Sequence, residues 1–416
     1  MPWVKLRAMP SGMLQPIRLI LADPALRVAA GALVLFGSFA ASIAPYQSLI
    51  AIRIFGFSDA AYSAVLVLAA VISVAGAVGI GVLTDRMAAR KKAALLSALL
   101  GAAATAWILA VPGAWSFALV HGILLPIAGS LMGQIFALAR LAAGRLTPDE
   151  RDSVLAGIRA LFALPFIVVL PLWSVAFEAG AGLLAIYIAL AGLCLGMALL
   201  IRVAWPEDGE GGWEEVPSGL SLAESLREIA SGGVLLRVTM TGAINAGVFL
   251  YLIVLGLMFD ESVGRGLGDV AIFAGVVAGL EVPVMLSMGA LLRRITRLQA
   301  ILWGAALYAG FLFAFPLLVA TPLVWLLTIP AAIGGGIVLS LPIAYVQDLM
   351  GTRAGAGGAL LAVQKVAGDG IAAALFAGAT LLGGYGLAAW AGGLSMILGA
   401  GALLWLDRRR DPLPAE

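Results

Sequence analysis

Thiol and imidazole are almost missing from this chain: 416 residues hold one cysteine, Cys194, and one histidine, His121. A lone thiol cannot build an intrachain disulfide framework, and one cysteine with one histidine cannot furnish a Cys- or His-based metal cluster. No metal and no other cofactor is therefore expected. Charge is scarce as well, at 12% of residues with a formal net charge of +2, and the basic residues are spread along the chain, which argues against a nucleic-acid partner. There is no HExxH, no GxSxG, no DDxxD-like acidic repeat and no Walker sequence, so the convergent groups of a membrane enzyme are lacking.

What the chain has instead is hydrocarbon. Apolar residues make up 62% of it, and runs of about 19 residues or more, enough for a helix to cross a bilayer, recur throughout. Twelve are placed at 28–48, 60–83, 93–111, 115–139, 153–176, 181–203, 234–258, 269–292, 298–318, 322–347, 355–382 and 385–406. The apolar stretch near Leu19–Ala22 is short and is cut by Asp23-Pro24, so a cleaved signal peptide is not expected. Cys194 lies inside a run and reads as a small packing residue.

Folding the chain back and forth at each break puts twenty of the 25 Lys and Arg residues on one side, leaving only Arg53 and Arg265 in the alternate loops. By the positive-inside rule both termini and the central loop are cytoplasmic. Arg159, Arg237 and Lys365 fall within apolar runs. The one substantial polar stretch, 204–232, contains Ser221–Ala230 with helical apolar spacing and Glu224 and Glu228 one turn apart, which predicts a short amphipathic helix on the membrane surface. It divides the chain into an N-terminal six-helix bundle (1–203), a cytoplasmic linker (204–232) and a C-terminal six-helix bundle (233–416).

The halves echo each other at an offset of 208. Gly81-Val-Leu-Thr-Asp85-Arg86 matches Gly289-Ala-Leu-Leu-Arg293-Arg294, Arg140 matches Asp348, and Arg145 matches Arg353. Parallel six-span repeats with a substrate site between them near the midplane are an alternating-access design. Gly81-x-Leu83-x-Asp85-Arg86 followed by Arg90-Lys91-Lys92 resembles the cytoplasmic signature of the major facilitator superfamily. It departs from that signature in having Ala88 after the Asp-Arg pair and a basic cluster about one residue late. Gln134-Ile-Phe-Ala-Leu-Ala-Arg140, Ala278-Gly-Leu-Glu281-Val-Pro283 and Gln347-Asp348-Leu-Met-x-x-Arg353 resemble the bacterial sugar efflux transporter branch. The resemblance implies twelve helices around a central cavity, a bacterial inner membrane, a monomer, and proton-coupled efflux of sugars or sugar-like molecules. Multidrug/proton antiport of lipophilic compounds is the alternative, with a channel or membrane enzyme behind it. The expected partners are a small-molecule substrate, protons and membrane lipid.

In that family the counterpart of Asp85 pairs near the arginine matching Arg140 and helps latch the cytoplasmic side, so Asp85, Arg86 and Arg140 are read as a cytoplasmic gate; solvated loop charges serving topology alone are the plainer reading. In the second half Arg293 stands where the repeat would put the acid, so a latch there would use Asp348 with Arg293, Arg294 or Arg297, with Arg353 following, and the acid and base of the Asp85/Arg140 pair are exchanged. Three charges lie near the midplane: Glu281, Lys365 and Asp369. A charge there costs from about 3 kcal/mol upward, and faces the bundle interior or water with a partner. Lys365 and Asp369, four apart, can form a neutral structural pair. Glu281 has no partner in its own span and is read as the proton carrier, with Asp369 second, unless Lys365 neutralises it across helices. Arg159 and Arg237 can snorkel to the interface, and His121 reads as a hydrogen-bonded packing residue ahead of a proton relay. Candidate cavity residues are Ser38, Ser42, Tyr46 and Gln47 in the first span, Gln134 in the fourth, Asn245 and Tyr251 in the seventh, and Gln347 in the tenth; each alone is also an ordinary helix-helix hydrogen-bonding residue. Gly334-Gly335-Gly336 between Pro330 and Pro342 favours close, deformable helix packing.

The latch yields a first prediction. Asp85→Asn is expected to leave folding intact and shift the population toward the inward-open state; unchanged cysteine accessibility on both faces would contradict it.

Overall fold

A computed structural model describes residues 15–87, 89–207, 232–349 and 354–408. With no water to bond exposed amides, a chain in hydrocarbon must satisfy its backbone within each segment, and the described residues accordingly form helices. After a short helix, Gln15–Ala22, the spans are α1 (Pro24–Ile43), α2 (Asp59–Met87), α3 (Arg90–Ala110), α4 (Ala114–Ala143, with a π-turn at Val120–Leu124), α5 (Pro148–Glu178) and α6 (Ala185–Ala204). The second half holds α7 (Gly232–Glu261), α8 (Leu267–Leu292), α9 (Arg297–Leu318) and α10 (Thr328–Asp348, entered through the 3-10 turn Pro322–Leu327). The run Ala354–Arg408 breaks at Gly383 and Gly384, with φ of +75° at Gly384, giving α11 (354–382) and α12 (385–408). The predicted gap between the last two spans is this break. The first predicted span overshoots, because the chain turns at 44–46, where Pro45 stands, and resumes as Gln47–Leu49 and a π-turn, Ile50–Ile54. The predicted linker helix at 221–230 lies outside the described residues.

Helix starts are written in local chemistry. The Asp23 carboxylate accepts from the amides of Ala25 (2.8 Å) and Leu26 (3.0 Å) with Pro24 at the first turn of α1, and Thr296 and Gln299 exchange bonds of 3.2 and 3.0 Å at the start of α9. At α5, Glu150 accepts from the Thr147 amide (3.2 Å) and hydroxyl (2.8 Å). These bonds satisfy orphan amides at the membrane edge.

Within each half small residues set the packing. A methyl group added at Gly242 of α7 would lie 2.9 Å from Ala367 Cβ and 3.0 Å from both the Gln364 carbonyl oxygen and the Gly368 nitrogen of α11, so these backbones touch. The Arg237 guanidinium of α7, buried, donates to Asp407 (2.8 Å) and to the Leu406 carbonyl (2.9 Å) of α12, and the Tyr345 hydroxyl of α10 donates to the same carboxylate (2.9 Å). The snorkelling expected for Arg237 is thus replaced by a bond network, because an acid on a neighbouring helix is within reach. Within the first half, Lys91 of α3 donates to Glu207, just beyond the end of α6, at 2.6 Å, and this hydrogen bond holds the Glu207 carboxyl below its usual range.

Gly242→Leu is expected to force α7 from α11 and cost about 1–3 kcal/mol, read as a lowered thermal midpoint in detergent. Gly279→Ala, where an added methyl meets nothing within 4 Å, should leave the midpoint within error.

Candidate functional site

The two halves meet along α5 with α8, along α2 with α11, and where α7 touches the Gln47–Leu49 segment. These contacts gather at the end of the bundle away from the chain termini. There the Ser48 hydroxyl donates to the Ile253 carbonyl (2.7 Å), Tyr46 donates to the Leu267 carbonyl (3.1 Å), and Tyr385 donates to Asp59 (3.2 Å). Arg53 clamps Asp260 (2.7 Å) and Glu261 (3.1 Å). Arg53 and Glu261 are 208 positions apart, the offset of the sequence repeat, so the clamp joins equivalent points of the two halves. Arg265, the other lone base on that side, donates to the Val319 (3.2 Å) and Thr321 (2.6 Å) carbonyls and sits 5.8 Å over the rings of Phe259 and Trp325.

Toward the other end the halves part. On one face of α8, Gly268 rests on Ser174 of α5 and Gly275 on Leu170 (3.4 Å) and Pro171 (3.5 Å), whereas Gly279, one turn further, meets nothing within 4 Å. On α11, Phe376 packs edge-on against Tyr62 of α2 at 6.1 Å, while Lys365, three turns along the same face, is 56% exposed. The contacts between the halves therefore thin out toward the end that carries the termini. Arg140, Arg293 and Arg294 stand exposed around that end. The side chains of Asp85, Arg86, Gln347 and Asp348, and Arg353 altogether, lie outside the described residues.

The three midplane charges separate into two groups. Lys365 bonds Asp369, as their spacing predicted, and the carboxylate is the less exposed member at 14%. Glu281 turns the other way, into the second half: a methyl at Gly335 of α10 would collide with its Oε1 and approach Tyr308 of α9 at 3.3 Å. Tyr251 of α7 and Tyr308 meet edge-on at 6.2 Å, and both hydroxyls are buried without a hydrogen-bond partner. Among the described residues Glu281 has no ion-pair partner, since Lys365 is engaged by Asp369. Gly335 is what gives the carboxyl its room. Tyr308 was not singled out from the sequence, because a tyrosine among Ala and Phe in α9 looks like core until its unbonded hydroxyl is seen.

The predicted cavity residues scatter. Ser38 and Ser42 donate to backbone carbonyls one turn earlier (both 2.8 Å), and Ser42 accepts from Trp173 of α5 at 2.9 Å. Tyr46 belongs to the closed end, and Gln47 bonds the Tyr62 hydroxyl. Tyr251 is packed against Phe273, Tyr308 and Phe311 inside the second half. Gln134 on α4 and Asn245 on α7 keep buried amide oxygens with no partner, as does the Gln364 side-chain nitrogen on α11. Asn245 lies 3.5 Å from the Cβ position of Gly368, next to Asp369, so Asn245, Gln364, Lys365 and Asp369 come together on the α7–α11 edge. His121 shares a 2.7 Å hydrogen bond with Tyr187 and stacks on Phe117 at 4.2 Å. Arg53, the base that binds the halves together, was legible only as an exception to the charge asymmetry.

No curated protein matches the chain. Among solved structures, it is similar to a crystal structure of the nucleoside transporter NupG (TM-score 0.70, 15% identity, covering 96% of this chain and 100% of that one). It is also similar to the crystal structure of an auto-inhibited POT family peptide transporter (TM-score 0.76, 12% identity, covering 95% and 99%). At these identities the likeness establishes the fold. The profile of the Major Facilitator Superfamily matches residues 28–373. With that match over most of the chain, and with the helical spans found among the described residues, the chain belongs to the major facilitator superfamily and is a membrane transporter, not an enzyme.

Proposed function

We propose that this transporter exports sugars or sugar-like small molecules in exchange for protons, in a bacterial inner membrane, as a monomer with both termini and the 204–232 linker cytoplasmic. The loop charges support that orientation, which makes the described conformation inward-facing, closed at the periplasmic end by Arg53, Tyr46, Ser48 and Tyr385. The observation that carries proton coupling is Glu281: a carboxyl at membrane depth, without a cation, lodged against Gly335 beside two unbonded tyrosine hydroxyls. A carboxyl so placed can load a proton when the site is open to one side and release it on the other. No nucleotide-binding sequence is present, so an ion gradient is the energy source that fits. The unbonded amides of Gln134, Asn245 and Gln364 suit hydroxyl recognition, since an unpaired buried polar group is costly until a ligand pairs it.

Two outcomes are expected. In proteoliposomes Glu281→Gln should abolish transport driven by a pH gradient while exchange of solute without a gradient persists; wild-type pH dependence in the variant would refute the assignment. Arg53→Ala should raise outside labelling of Ser174→Cys by a membrane-impermeant maleimide in a Cys194→Ala background. The clamp's side chains are 38%, 39% and 54% exposed, so its worth is about 1 kcal/mol and the shift about fivefold. No change in labelling would remove Arg53 from the gate.

A further inference from the structure

Arg159 is the basic residue that the fold leaves unexplained. It is exposed, and among the described residues it has no ion-pair partner. It lies well inside the span Ser153–Glu178, where a guanidinium facing lipid is costly. Its register gives the direction. Phe166 and Leu170, seven and eleven residues on and so on the same face of α5, lie against Gly275 of α8, and Phe162 lies against Gly37 of α1. The exposed apolar stripe of α5 runs through Leu164, Val168, Leu172 and Val175, on the other side of the helix. Arg159 thus points between α1 and α8, into the space between the halves.

Lys365 does the same from the opposite half. Ala372 and Phe376, seven and eleven residues on, are buried, the latter against Tyr62 of α2, and Leu381, on the far side of α11, is 78% exposed. The two cations are also level. Arg159 precedes Glu178, the end of its helix, by 19 residues, and Lys365 precedes 382 by 17, which at 1.5 Å per residue puts them about 28 and 26 Å from the closed end. Their helices, fifth in each half, are counterparts in the repeat.

The acids do not cancel them. Among the described side chains, Asp369 is the carboxylate on this face and it is shared with Lys365. Glu281 is turned into the second half, and Asp407 is taken by Arg237 and Tyr345. One positive charge is left over in a cavity with low-dielectric walls, which focus the field. The Lys365 ammonium, with one donor on Asp369, keeps others for a ligand.

We propose that the cavity takes a small hydroxylated solute bearing one negative charge, a carboxylate or phosphate, held between Arg159 of one half and Lys365 of the other, with Asn245 and Gln364 beside it for hydroxyls. This rests on the sugar-like reading above and narrows its substrate class; it also sets lipophilic cations at a disadvantage.

Two measurements on the full-length protein in proteoliposomes test it. The first needs no ligand: in a Cys194→Ala background, Ala163→Cys, one turn deeper than Arg159, is reacted with anionic sulfonatoethyl and cationic trimethylammonioethyl methanethiosulfonate. After normalisation to a small free thiol, the anionic reagent should react several-fold faster, and Arg159→Gln or Lys365→Gln should each lower that ratio. The second compares protection of this cysteine by D-gluconate and by D-glucitol, its uncharged analogue. Gluconate should protect at lower concentration, and each Gln variant should weaken it roughly tenfold or more without altering glucitol. The double variant Lys365→Gln/Asp369→Asn, which removes the pair as a unit and leaves the single positive charge of Arg159, controls for folding: it should restore the wild-type reagent ratio while keeping the weakened gluconate protection of Lys365→Gln. Preference for the cationic reagent overturns the inference. Equal protection by both polyols overturns it while leaving the sugar reading standing, and protection by neither overturns both.

Discussion

Hydrocarbon will not solvate a bare charge or an unbonded amide, and this constraint organises the molecule. It confines the backbone to helices and puts Asp23, Thr147 and Thr296 where helices begin. It obliges every intramembrane charge to find a partner or water. Arg237 finds Asp407, Lys365 finds Asp369, and Glu281 lies among tyrosines beside a glycine.

The same constraint makes the seam between the halves adjustable. The closed end is held by a few hydrogen bonds, one exposed arginine clamp and the close fit of Gly268, Gly275 and Gly256 against their neighbours. None of these is strong alone. A transporter must exchange this seam for another at the opposite end, and contacts worth about 1 kcal/mol each can be exchanged where a deeply interlocked core could not. The packing within each half is different in kind: α7 against α11 at Gly242, and α9 against α10 at Gly334, bring backbones into contact and allow each half to move as one body.

Much of the site was visible in the chain, but not its grouping. Lys365 and Asp369 were paired correctly because a four-residue spacing on a helix is a local fact. Whether Lys365 would instead neutralise Glu281 was not decidable, since it depends on which way α8 and α11 turn relative to each other. Tyr46 and Ser42, in step with Ser38 on one face of α1, looked like a ligand surface; one reaches across to Leu267 and the other holds Trp173. The hydroxyl of Tyr308 and the acid that meets Arg237 are equally invisible in the sequence, since Asp407 lies 170 residues from Arg237 and on another helix.

The sequence by itself determined the apolar spans, most of the breaks between them among the described residues, and the family, because hydrophobic run length, loop charge and short motifs are properties of neighbouring residues. It also marked which charges sit too deep to be ignored. Only the tertiary structure decided that the chain is closed at the end away from its termini, that Glu281 lies inside one half and Lys365 between the two, and that Arg53 meets its repeat counterpart Glu261. Those outcomes depend on the rotation of each helix about its axis and on the tilt of one half against the other. Both are set by side chains from distant parts of the chain packing together, which no local pattern records.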